Sequence, residues 1–315
     1  MQCGEITTLL DLVTESIVGS YVAWALNDQH VLSNSLSCFG ILYAAIRHNP
    51  KYKQQDLTWF GRLMMEIRLD PESDLQARKA LKYLPYDILS KIPQLISQQR
   101  GKEERGTKQY ARLLHDELML QWLLILPWRQ RNIREARLGT PEKDNIFKTG
   151  FSSLVNIAKP QWVEEELSRD PGATFWQVFF RKHETKTGQE VRGVIPKQLV
   201  PLLEEYLQFC RRILIGRSDP GRLFVNRRGG VLLDREVTSL IGNLTVRYAG
   251  KRVTPHLFRD SYAHCWLDDH PEDYLTLSKI LWHRSIKTTI RIYGRNYDES
   301  HGIRKAEEWT EHRNH

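Results

Sequence analysis

The stretch TPHLFRDSYAHCWLDDHPEDYLTLSKILWHRSIKTTIRIY, from Thr254 to Tyr293, decides how this chain reads. It carries His256 and Arg259, then His283, then Tyr293. A His and an Arg three apart share one face if the segment is helical. The second His closes a Leu-x-His box, Leu281 to His283, and the pair Thr288-Thr289 precedes the Tyr. Two imidazoles, a guanidinium and a phenol in this order gather phosphate-binding and nucleophilic groups into one short block.

Composition frames that block. The chain has 315 residues, 41% hydrophobic and 27% charged, which fits folded globular protein and leaves room for two domains. Its net charge is +8. Lys and Arg neutralise phosphates and release counterions, so a basic chain suits a polyanionic partner. Charge alone points there weakly; charge with the motif points there strongly. The cysteines Cys3, Cys38, Cys210 and Cys265 form no Cys-x-x-Cys pair, which argues against a zinc ribbon or a disulfide framework. A reducing, cytoplasmic compartment is expected. No signal peptide and no long apolar run is visible, so no membrane span is expected. Neither a Walker-type loop nor a His-Glu-x-x-His helix occurs. No cofactor, nucleotide or metal is therefore expected.

Outward from the block, the first hundred residues read as helices over Leu9–Trp24, Leu32–Arg47, Leu57–Ile67, Ser73–Tyr83 and Tyr86–Gln98. The polar run Gly101 to Gly106 is the candidate linker, giving domains 1–105 and 106–315. An apolar helix over Tyr110–Leu126 stops at Pro127, and a short one is expected over Asn132–Leu138. Thr174–Arg181 is aromatic and β-branched, and reads as a strand. A turn at Lys186-Thr187-Gly188 returns it through Glu190–Ile195. A helix over Leu199–Leu214 and a short strand over Leu223–Val225 follow, and the remainder reads helical. The expected fold class is mainly α with a small antiparallel β-sheet: a helical N-terminal domain, then an α+β domain.

The His-x-x-Arg pair, the Leu-x-His box, the Thr pair and the following Tyr resemble the C-terminal signature of the tyrosine recombinases, or phage integrases. The resemblance covers Lys108 to about Tyr293; over residues 1–100 it rests on size, helicity and position. It implies a core-binding-like domain and a catalytic domain that clamp double-stranded DNA from two sides. It also implies assembly as a homo-tetramer on two DNA sites. A C-terminal tail, here 294–315 with a helix at Ile303–Trp309, would pass between neighbours.

Cutting DNA without a metal needs a nucleophile, cations on the non-bridging oxygens, and an acid for the leaving oxygen. By resemblance, Tyr293 is the nucleophile, with Tyr297 as fallback. Tyr293 stands one place further from the box His than in many family members, a spacing that a subgroup shares. Arg259 and Arg131 are the phosphate clamp, with Arg129 and Arg134 competing for the place of Arg131. An Arg fork meets phosphate oxygens bidentately and stays charged. Lys186, at the hairpin tip, is the general acid, with Lys182 as rival. His283 donates to the scissile phosphate, and His256 helps accept or position the Tyr proton. Two departures stand out. Trp282 replaces the usual Gly before the box His and is expected to crowd the helix start. Asp260 replaces a common His after the second Arg and is expected to pair with a catalytic Arg. A type IB topoisomerase-like nicking-closing enzyme and a DNA-binding protein that has lost catalysis are the alternatives.

Overall fold

The computed structural model describes residues 13–27, 41–52, 54–69, 83–151, 159–216, 218–294 and 310. They fall into two compact units, 1–81 and 82–315.

In the first unit, α1 (Glu15–Asn27), a helical segment over 41–48 and α2 (Thr58–Leu69) realise the helical periodicity. Their described core is small: Val13, Val18, Ile46 and Phe60 are buried together. Tyr43 meets Phe60 edge to face at 5.3 Å. The helix expected over residues 73–83 lies, except for its last residue, outside the described residues.

The second unit begins ahead of the expected linker. Helix α3 (Tyr86–Arg100) buries Leu89, Ile92 and Ile96, spaced for one helical face. Its lead-in is tied into the same unit, because Ser261 Oγ donates to Leu84 O at 2.8 Å and Lys251 Nζ to Tyr83 O at 2.7 Å. Residues 101–106 are thus a connection inside this unit. They end at Thr107, whose side chain accepts from Tyr110 N and caps α4 (Lys108–Ile125). That helix is buried nearly all round, which marks it as the central rod of the core. Even its Glu117 is buried, and it is neutralised by Arg100 at 2.9 Å.

Pro127 breaks the run. The short α5 (Gln130–Glu135) follows, then β1 (Ile146–Gly150), α6 (Gln161–Arg169), β2 (Thr174–Phe180) and β3 (Val191–Val194). The sheet is antiparallel in the order β1-β2-β3, with Ile146 opposite Val178 and Val178 opposite Gly193. β2 and β3 match the expected hairpin. β1 was not expected, because Ile146-Phe147 is too short an apolar run to declare itself beside the charged stretch 142–144.

The expected helix over Leu199–Leu214 is interrupted. α7 (Val200–Glu205) passes through a π-turn at Tyr206–Cys210 into α8 (Arg211–Leu214). Leu223–Val225, expected as a strand, is fully buried but joins no named sheet among the described residues: Leu223 N donates to Ala136 O, Val225 bridges Val231, and the preceding Arg222 bridges Arg137. Helix α9 (Asp234–Ala249) ends at Gly250, whose left-handed φ of 70° closes it. Then come α10 (Pro255–Asp269), α11 (Tyr274–Ile280) and α12 (Ile286–Tyr293). The fold class is as expected: mainly α with one small antiparallel sheet. Among the described residues no helix is long and apolar enough to cross a membrane.

Candidate active site

Helix α10 starts with Pro255 in its first turn, where a missing N–H costs nothing. His256 stands exposed on that turn, while Arg259 and Asp260 turn inward and are 3% and 6% exposed. Arg259 stitches two distant segments to the helix. Its Nη1 donates to Pro127 O and its Nη2 to Leu281 O. A guanidinium carries five N–H donors, so these two bonds leave others for a ligand.

The box His is set by an unusual turn. After α11, Leu281 is still right-handed, but Trp282 has φ of 52°, in the left-handed region. That conformation costs a non-glycine residue about 1–2 kcal/mol, which explains why glycine suits the place. The indole offsets the strain by packing at 5.3 Å from Trp128 and 6.0 Å from Phe180. Trp282 therefore packs on the core and does not crowd α12, whose start is capped by the Ser285 side chain accepting from Lys287 N. The turn delivers His283, 8% exposed, with its N–H bonded to Ser278 O and its Nδ1 at 2.9 Å from Thr289 Oγ1. Burial, then the charges of Arg259, Arg129 and His256, push its pKa down to about 4. His283 is thus a neutral imidazole at pH 7.

At the end of α12, Tyr293 is 6% exposed and donates its hydroxyl hydrogen to Asp260 Oδ1 at 2.8 Å. His264 meets its ring edge-on at 5.7 Å. Burial and the Asp260 charge raise the phenol's pKa well above its ordinary value, against the opposing pull of Arg259 and Arg129. Asp260 thus engages the phenol, and no ion pair joins it to Arg259 among the described residues, contrary to the expected pairing with an arginine.

The arginines after Pro127 divide. Arg129, just ahead of α5, couples electrostatically to Arg259, His283 and Tyr293, and its burial lowers its own pKa. Arg131, the expected clamp, instead points outward with its side chain 51% exposed and bonds Glu135 at 2.9 Å. Arg134 bonds Glu135 and Asp234 on the same outer side. The reason is helical phase: residues 131, 134 and 135 fall on the outer face of α5, while Arg129 precedes the helix beside buried Trp128. Burial of Arg259, then the neighbouring Arg129 charge, lowers the Arg259 pKa to about 10, so Arg259 stays charged at pH 7.

Lys186 is exposed in the β2–β3 connection, and among the described residues no hydrogen bond or ion pair ties it to the Arg259 cluster. The base of that connection is firmly held. Glu184 accepts from Arg181 N at 2.7 Å, from Asn145 Nδ2 at 3.0 Å and from Arg137. Burial works against the Glu184 carboxylate, but these donors outweigh it and hold its pKa below the ordinary range.

The structure therefore brings together Arg259, His283 and Tyr293, with His256 near enough to influence His283. It adds Arg129 and Asp260, and leaves Arg131 and Lys186 outside. A buried and a half-buried guanidinium beside a neutral imidazole and a phenol can hold an anion and offer it a nucleophile. Among the described residues no group of His, Cys, Asp and Glu could hold a metal.

No family model and no curated protein matches the chain. Among solved structures it is similar to the XerH site-specific recombinase bound to difH substrate in a pre-cleavage complex, at 16% identity and a TM-score of 0.47. That match covers 72% of this chain and 54% of the other. The post-cleavage XerH complex with palindromic difH substrate matches at 18% identity and 0.45, over 73% and 53% of the two chains. XerA recombinase matches at 18% and 0.42, over 73% and 63%. The chain thus spans about half the length of the XerH chains it matches.

Proposed function

We propose that this chain is a site-specific DNA recombinase of the tyrosine recombinase kind. The observation that carries the reading is the convergence of Arg259, Arg129, His283 and Tyr293 from three separated segments into one largely buried cationic cluster. Motif order alone does not require such convergence.

In this reading Arg259 and Arg129 grip the two non-bridging oxygens of a scissile phosphate, and the role sought at Arg131 passes to Arg129. His283 donates to the same phosphate from one ring nitrogen. An arriving phosphodiester offsets the arginine charges, so binding favours protonation of His283. Tyr293 attacks phosphorus and becomes linked to the 3′ end, while the 5′ oxygen leaves with a proton from Lys186 at the hairpin tip. The phosphotyrosyl bond conserves the energy of the broken bond, so neither ATP nor a metal is needed for rejoining. A partner strand's 5′ hydroxyl then displaces Tyr293. Four protomers on two DNA sites would exchange both strand pairs, in integration, excision or resolution, with DNA-bending helpers as accessory partners. A cytoplasmic, DNA-associated location follows from that role.

The test is a nicked suicide duplex, drawn from DNA flanking the gene, resolved on a denaturing gel. Wild type should give a covalent adduct and Tyr293→Phe none, with DNA affinity nearly unchanged. An adduct that survives Tyr293→Phe removes Tyr293 as nucleophile. Salt-sensitive binding with no adduct would select the DNA-binding protein without catalysis. Synapsis of two duplexes separates a recombinase from a nicking-closing topoisomerase.

A further inference from the structure

A phenol that must become a nucleophile has one proton to lose, and in this structure that proton already points at a carboxylate. Tyr293 Oη donates to Asp260 Oδ1 at 2.8 Å, and both side chains are buried. Among the described residues the second oxygen, Asp260 Oδ2, is buried without a hydrogen-bond partner. The phenolic proton therefore has a carboxylate oxygen within direct transfer distance, with no intervening group. Asp260 is also held in place, one residue from Arg259 on the rigid inner face of α10.

Resting on the reading of Tyr293 as nucleophile, we propose that Asp260 is the general base that takes the phenolic proton as Tyr293 attacks phosphorus. The Oη–H bond breaks as the Oδ1–H bond forms. The Oη electron pair makes the bond to phosphorus, and the P–O5′ bond breaks with its pair on the 5′ oxygen, which a separate acid protonates. The transfer changes the sign of Asp260's influence. Before it, the carboxylate charge opposes a phenolate, as the raised phenol pKa reflects. After it, a neutral carboxylic acid donates a hydrogen bond to the same oxygen, and Arg259 and Arg129 act unopposed. The reverse transfer would return the proton when Tyr293 is displaced. His256, the residue expected to receive this proton, is exposed on the first turn of α10, while the one hydroxyl hydrogen goes to Asp260.

The pH dependence of cleavage reads this directly. The charged and titratable groups facing the pair are Arg259 and His264 on α10, Arg129 ahead of α5, and Tyr83 ahead of α3, whose ring meets His264 at 5.6 Å. None of these is removed by Asp260→Asn, which keeps an oxygen to accept from the phenol but cannot take its proton. Full-length wild type, Asp260→Asn and Tyr293→Phe are compared on the nicked flanking-DNA duplexes between about pH 6 and pH 9, with filter binding and thermal melts alongside. Asp260→Asn should bind DNA like wild type yet form adduct about 10²–10⁴-fold more slowly, the range for losing a general base. Its rate should climb about tenfold per pH unit as hydroxide replaces the base, where wild type is flat. An unchanged rate and profile would overturn the assignment. Faster cleavage by Asp260→Asn would also overturn it, since the carboxylate would then be a restraint on the phenol. If the Asn variant loses its melting transition, Asp260→Ala with added formate decides: restored adduct supports the base and no restoration removes it. Adduct in wild type with no Asp260 effect sinks this proposal alone, whereas no adduct in wild type sinks it together with the recombinase reading.

Discussion

At the scale of single residues, three arginines within six positions meet different fates, and their place relative to the start of α5 separates them. Arg129, Arg131 and Arg134 have the same chemistry, but Arg129 alone lies where its charge reaches Arg259, His283 and Tyr293. The prediction is asymmetric. Arg129→Ala should slow adduct formation by about 10²–10³-fold, the size seen when one donor to a developing oxyanion is lost. Arg131→Ala removes an exposed i,i+4 ion pair with Glu135 and should change the rate by no more than about fivefold. Rates on the suicide duplex check this, and equal losses would return the clamp to Arg131. The sequence made the cluster of arginines visible but not the choice, because the choice depends on where α5 begins. The partner of Asp260 was equally hidden: the residue adjacent in sequence is Arg259, yet the hydroxyl it meets comes from the end of another helix.

At the scale of elements, the link between α11 and α12 carries the site. It must turn left-handed at residue 282 to deliver His283, and the chain does this with Trp where glycine would be strain-free. Two terms oppose each other. Trp282→Gly relieves about 1–2 kcal/mol of backbone strain but forfeits the packing on Trp128 and Phe180, and truncating a large aromatic in a core costs about 3–5 kcal/mol. The packing term wins, so the variant should lose about 1–4 kcal/mol in a urea melt. A more stable glycine variant would mean that the packed indoles do not hold the turn. The helices and the β2–β3 hairpin were legible from periodicity and from Lys186-Thr187-Gly188. β1 and the π-turn in the 199–214 run were not, since a short strand and a one-residue register slip leave no periodic signal.

At the scale of the whole molecule, the second unit is built around α4, and Arg259 ties α10 to both Pro127 and Leu281. Global stability should therefore feel the protonation of the site. His283 has a folded pKa of about 4 against an ordinary 6.5. Below pH 6.5 the unfolded chain takes up this proton first, so folding stability falls as pH drops from about 6.5 through about 4. Denaturation midpoints of wild type and His283→Asn across that window should converge at low pH, because the variant lacks this term while all carboxylates are shared. Parallel curves would show that His283 titrates normally. The sequence by itself determined the class of fold, the basic character, the hairpin, and the residue types His256, Arg259, His283 and Tyr293 in their order, because helical period and short motifs are local properties. Only the tertiary structure decided that α3 belongs with the second unit, that Arg129 lies close enough to couple to Arg259 while Arg131 pairs with Glu135, and that Asp260 holds the phenol of Tyr293. Those outcomes depend on which faces are buried against which, and burial is set by the packing of segments far apart in the chain.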